Sequence, residues 1–147
     1  MSAVRQQIRE RIVVICQGLT TTGNRVFDSR VYNFSQTTLP ALAVYALSEN
    51  SERDSFQSTD GLARTVDVMV EGYTQQTEEL EDTLDTISAE VETAVAADPT
   101  LNGKAKDTFL SNTEISLTGE GDLPMGVIRM TWTVSYRTKT TLPETPY

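Results

Sequence analysis

Apolar residues recur every three or four positions in two stretches of this chain and every second position in three others. From Ala3 to Leu19, the side chains of Val4, Ile8, Ile12, Ile15 and Leu19 fall on one helical face. Arg5, Gln6 and Arg9 lie on the outer face, and Gly18, followed by the β-branched run before Gly23, supplies the end signal. A second, longer stretch from Gln76 to Ala97 aligns Leu80, Leu84, Ile87, Val91 and Val95. Asp98-Pro99 closes it, because proline lacks a donor and clashes with the preceding turn.

The period-two segments predict strands. Val66, Val68 and Val70 alternate with polar neighbours up to Gly72, and Thr113, Ile115 and Leu117 alternate with Glu114, Ser116 and Thr118. After a Gly119–Asp122 turn, Ile128, Met130, Trp132, Val134 and Tyr136 face one way, and Arg129, Thr131, Thr133 and Ser135 the other. Ala41 to Leu47 reads as a strand of mixed faces, entered in extended form at Leu39-Pro40. Asn24 to Thr38 reads as a long loop that can hold one short strand. Ser48 to Gly61 is polar but for Phe56 and reads as a mobile surface loop. The order helix, strand, strand, helix, strand, strand predicts an α+β fold: a mainly antiparallel sheet of four or slightly more strands with two helices packed on one face. One domain over residues 1–138 is expected, followed by an extended arm over 139–147 that contains Pro143 and Pro146.

Composition narrows what such a domain does. The 147 residues include no apolar run of the roughly 18 needed to span a bilayer, and Arg5, Arg9, Glu10 and Arg11 interrupt the N-terminus where a secretory signal would be apolar. Asn33-Phe34-Ser35 is then a chance match to a glycosylation acceptor. Histidine is absent, and the single Cys16 excludes an internal disulfide framework and a cysteine zinc site. The formal charge of −9 opposes tight binding to nucleic acid.

Candidate chemistry is sparse. Gly18 to Gly23 has the glycine spacing of a phosphate loop, but Asn24-Arg25 stands where Lys-Ser/Thr is required, and a helix precedes it where a strand should. The passage reads as a helix terminator, with Arg25 in an ion pair. Glu78, Glu79, Glu81, Asp82, Asp85, Glu90 and Glu92 form an acidic stripe on the second helix without the Asp-rich loop of a calcium site. Trp132 and Tyr136 read as core. No hydroxyl can be matched with a histidine base. The chain therefore reads as a non-enzymatic protein without a cofactor, whose work is assembly with other protein subunits.

The passage Leu19-Thr-Thr-Thr-Gly-Asn-Arg-Val-Phe-Asp-Ser-Arg30, then Thr38-Leu-Pro-Ala-Leu-Ala-Val-Tyr45 and Glu49, resembles the tail terminator proteins of long-tailed bacteriophages, the minor tail protein U type. The order of elements resembles that family along nearly the whole chain. The resemblance implies a virion protein, made in the host cytoplasm, that forms a hexameric ring at the head-proximal end of the tail tube and stops tube growth. It implies the tail tube protein and a head-completion or neck protein as partners, with DNA passing through unbound and no membrane involved. By the same resemblance Arg25, Val26, Phe27 and Arg30 lie near neighbouring subunits. Glu49, Glu52 and Arg53 fall in the polar segment expected to order on a partner. A neck or head-completion subunit, a tube subunit and an acidic cellular binding module stand as alternatives.

Overall fold

The computed structural model describes residues 2–28, 39–53, 61–118 and 124–147. The described elements follow the order α1 (Val4–Cys16), β1 (Val26–Phe27), β2 (Ala41–Arg53), β3 (Leu62–Gln75), α2 (Leu80–Ala96), β4 (Asp107–Thr118), β5 (Met125–Lys139) and β6 (Leu142–Pro146). The strands form one open sheet in the order β1-β2-β3-β5-β4, with β6 also paired to β5. All pairs are antiparallel except β1–β2, where Val26 lies opposite Leu42 and Phe27 opposite Ala43.

Among the described residues six strands are present, where the alternation read four or slightly more. β1 is too short to show a period, and β6 comes from the proline-containing C-terminal segment, which turns back so that Lys139 faces Leu142. The expected loop at Ser48–Gly61 is also corrected: β2 continues to Arg53 and β3 starts at Leu62, pairing Ser48–Arg53 with Leu62–Asp67. Ladder hydrogen bonds satisfy the backbone whatever the side chains are, so a polar sequence did not prevent a strand there. Residues 54–60, including Phe56, lie outside the described residues, as do Arg30, Asn33-Phe34-Ser35 and the expected turn at Gly119–Asp122.

β4 likewise begins at Asp107, six residues before the alternating stretch, because a bulge between Leu110 and Asn112 resets its register. The start of α2 moves from Gln76 to Leu80. Gln76 is held in place by its own amide, which donates to the Glu78 and Glu79 carbonyls and to Thr83 Oγ1.

One core joins these elements. Val4, Ile8, Ile12 and Cys16 of α1 and Leu84, Ile87, Val91 and Val95 of α2 share a buried cluster with alternate residues of three strands: Leu42 and Val44; Val66, Val68 and Val70; Ile128, Met130, Trp132, Val134 and Tyr136. Burying a large apolar side chain stabilises by about 1.5–3 kcal/mol, so this cluster dominates the fold. Gly72 and Gly126 bring the sheet close to α2: a Cβ at either would sit 2.8 Å from an α2 methyl.

Candidate functional site

The passage singled out by sequence is a structural hinge between α1 and the sheet. Gly18 and Gly23, both at positive φ, close a tight loop in which the Gly18 amide donates to the Gly23 carbonyl (2.9 Å) and the Gly23 amide to the Leu19 carbonyl (2.7 Å). Their amides are spent on this loop, as expected of a terminator and not of a phosphate cradle. Thr21 fastens the loop to α2: its amide and hydroxyl donate to the two carboxylate oxygens of Glu90 at 2.9 and 2.6 Å. Among the described residues Arg25 makes no ion pair, contrary to expectation; its Nε donates to the Pro40 carbonyl (2.7 Å) and its Nη2 to the Thr21 carbonyl (3.2 Å). It thereby fixes where β1 meets β2. Val26 packs against the core and Phe27 is half-buried.

Glu49 has a different setting. It projects inward near the end of β2, and only 9% of its side chain is exposed. Arg5 from α1 donates to Oε2 at 2.7 Å, Arg64 from β3 reaches the same oxygen at 3.4 Å, and the Tyr136 hydroxyl donates to Oε1. Burial, then the hydrogen bond to the Glu49 carboxylate, push the Tyr136 hydroxyl far above its usual range. One carboxylate thus ties a helix to three strands. Glu52 and Arg53, on the same strand, are exposed. The structure therefore does not gather Arg25, Val26, Phe27, Glu49, Glu52 and Arg53 into one patch: Arg25 and Glu49 hold the interior in register, and the last two residues lie on the surface.

Sequence reasoning missed Arg5, Arg64 and Tyr136 as the partners of Glu49, since nothing local connects residues so far apart in the chain. Two further ion pairs extend from α1, Arg9 to Asp28 (2.6 Å) and Arg11 to Asp98 (3.0 Å). Within the sheet, Glu71 on β3 is buried and receives Arg129 Nε from β5 at 2.7 Å. On α2, Glu90 is engaged as described, and Glu81, Asp82 and Asp85 are exposed; Glu78 and Glu79, read as part of the helical stripe, are exposed too but precede the helix. An open groove of about 650 Å³ runs between Gly18–Thr20 and the α2 residues Asp85, Ala89, Glu90 and Ala94. Among the described residues, no group of three or more acidic or cysteine side chains is placed to hold a metal ion, and no helix is long and apolar enough to cross a membrane.

This α+β fold is similar to that of a solved virion component. The chain superposes on a chain of the virion of a native gene transfer agent particle with a TM-score of 0.54, at 19% identity and with 92% of each chain covered. A comparison with curated proteins finds no match. The family model of phage minor tail protein U matches residues 3–115, from the start of α1 into β4, and the chain belongs to that family.

Proposed function

We propose that six copies of this chain close into a ring on the head-proximal end of the finished tail tube, stop its polymerisation and present the surface to which the head is joined. The observation that carries this reading is the family match across residues 3–115, which makes the chain a phage tail protein. A fold shared with a virion component and a set of charged side chains engaged in holding layers together support a structural role. In this reading the tail tube protein and a head-completion or neck protein are the partners. DNA passes the ring without specific binding, which a formal charge of −9 favours. Residues 1–138 make up the ring-forming domain, with both helices on one face of its sheet, and 139–147 an arm folded beside it. Arg25, Val26, Phe27 and Arg30 shape one margin of the subunit contact, and Glu52 and Arg53, backed by Glu49, the other.

Electron microscopy of particles made without this protein tests the proposal. Tails of excessive or indefinite length are expected. Tails of normal length beside full, unattached heads would refute termination and assign the chain to the neck.

A further inference from the structure

Among the described residues β4 is paired only with β5, whereas β3 and β5 are paired on both sides. A free edge is a template for another strand, and proteins usually blunt it with proline, lysine or shortness. β6, end to end with β4 along β5, is blunted by Pro143 and Pro146, which cannot donate to an added strand. β4 is not: its 12 residues contain neither proline nor lysine, and Ser111 to Leu117 are all exposed. Ile115 (49% exposed) and Leu117 (47%) lie on the helix-bearing face, opposite Ile128 and Gly126, where Leu117 and the half-buried Leu80 of α2 both border Gly126.

Charge is unevenly spread along this margin. Glu90 points from α2 to Thr21, towards the α1 side. Glu81 lies roughly half a turn from it on a helix of about 3.6 residues per turn, hence on the β4 side, and Asp85 stands one turn further along. Both are exposed, near the end of the margin that Leu117 occupies. At the other end Lys104 and Lys106, which enter β4, outnumber Asp107. None of these two acids and two lysines forms an ion pair among the described residues.

We infer that two copies of the free chain pair through β4 about a two-fold axis at Thr113, so that one antiparallel sheet runs through both. A half-turn is the operation that sets two copies of one edge antiparallel. Residues opposed across an antiparallel seam must share a face. With Ser111 left over by the bulge, as it is against β5, they do: Ile115 stands opposite Leu110 and Leu117 opposite Thr108 on the helix-bearing face, and Ser116 opposite Phe109 and Glu114 opposite Asn112 on the other. The half-exposed Ile115, Leu117 and Phe109 of each copy then leave water. Charge selects a second copy as the occupant. The half-turn carries the α2 start of each copy to the lysine end of the other, so Glu81 and Asp85 meet Lys104 and Lys106 at both ends of the seam. An unrelated strand would have to bring the same charges in the same reversed order. A two-fold contact joins two copies only and cannot be repeated around a ring, so it belongs to the chain before assembly and stands independently of the ring proposed above.

Sedimentation of the purified chain at about 100 μM should give twice the 16.2 kDa of one copy. K104E/K106E and E81K/D85K should each sediment as monomers while melting like the parent, because like charges then meet at both ends of the seam. An equimolar mixture of the two should dimerise again, since each end then joins opposite signs. T113C, whose new thiol faces its own copy across the axis, should form linked dimers under mild oxidation, whereas N50C, exposed on β2, should not; Cys16 is buried and does not compete. A parent chain that stays monomeric, a dimer that survives either double substitution, a mixture that stays monomeric, or N50C linking as readily as T113C would overturn the inference.

Discussion

Replacing Gly72 with alanine tests the packing of α2 on the sheet. The added methyl would lie 2.8 Å from Ile87 Cγ2 and 3.1 Å from Ile128 Cγ2. Carbon atoms prefer about 3.5–4.0 Å, so something must move by roughly 0.7 Å. Neither obstacle yields easily: both are methyls on β-branched carbons, and Ile87 sits mid-helix, where one χ1 rotamer predominates. Overpacking of this kind costs about 1–3 kcal/mol, against which the loss of glycine's freedom in the unfolded chain returns about 0.4–1 kcal/mol. The net is a destabilisation of about 1–2 kcal/mol, and melting falls by roughly 2–4 °C per kcal/mol at this chain length. Gly126 provides the contrast. A methyl there is also 2.8 Å from its nearest neighbour, but that neighbour and the next two are Cδ ends of Leu84, Leu117 and Leu80, which can swing aside. G126A should stay within about 0.5 kcal/mol of the parent. Urea unfolding followed by circular dichroism measures both, and the cycle with I87A completes the case: G72A should cost about 1 kcal/mol less once Ile87 is truncated. Equal effects of the two glycine substitutions, or strict additivity of G72A with I87A, would refute the reasoning.

Other outcomes follow from the same contacts. E49A should destabilise by about 2–3 kcal/mol in urea titration, because it strands Arg64 and Tyr136 indoors, whereas R5A, which removes a half-exposed partner, should cost less than about 1 kcal/mol. Burial raises the thiol of Cys16 from 9.0 to about 12, and burial with the nearby Glu71 charge raises the Tyr73 hydroxyl from 10.0 to about 12. Folded values above unfolded ones mean that this stability is complete below about pH 9 and is lost as pH climbs toward 12. Melting temperatures should therefore fall across that range, and less steeply in Y136F, which removes another raised hydroxyl. Cys16 should resist thiol reagents in the native chain and react at the rate of global unfolding in urea, whereas rapid native labelling would contradict its burial. G18A should cost more than about 1 kcal/mol by thermal melting, since Gly18 has a φ of 81°.

Much of the fold was legible because amphipathic periods report burial directly. Val4, Ile8 and Ile12, then Leu84, Ile87, Val91 and Val95, and the alternation from Ile128 to Tyr136 lie in the core as read; Ile15 and Leu19 pack only against its edge, Cys16 taking the buried place at the end of α1, and Leu80 is half-buried. Two kinds of information were not carried by period. Ser48–Arg53 forms a strand through backbone pairing with Leu62–Asp67, which leaves no mark on side-chain polarity. Ile115 and Leu117 alternate like half-buried residues, yet they remain exposed because nothing in a sequence says that β4 stands at a margin. The site shows the same division. Arg25 was read as half of an ion pair, yet its described partners are carbonyls, since a guanidinium satisfies backbone acceptors as readily as carboxylates. The Glu49 cluster unites residues 5, 49, 64 and 136, and only tertiary structure could bring them together.

The register of the central strands also bears on the order in which the chain can mature. β3 spans residues 62–75, and its second neighbour spans 125–139, so the middle of the sheet cannot exist until the chain has been synthesised past residue 125. α1 emerges first, yet its arginines bind Asp28, Glu49 and Asp98, so it cannot finish docking before residue 98 has appeared. Folding then waits for β5, and a nascent fragment that lacks it has no finished sheet with which to join an assembly.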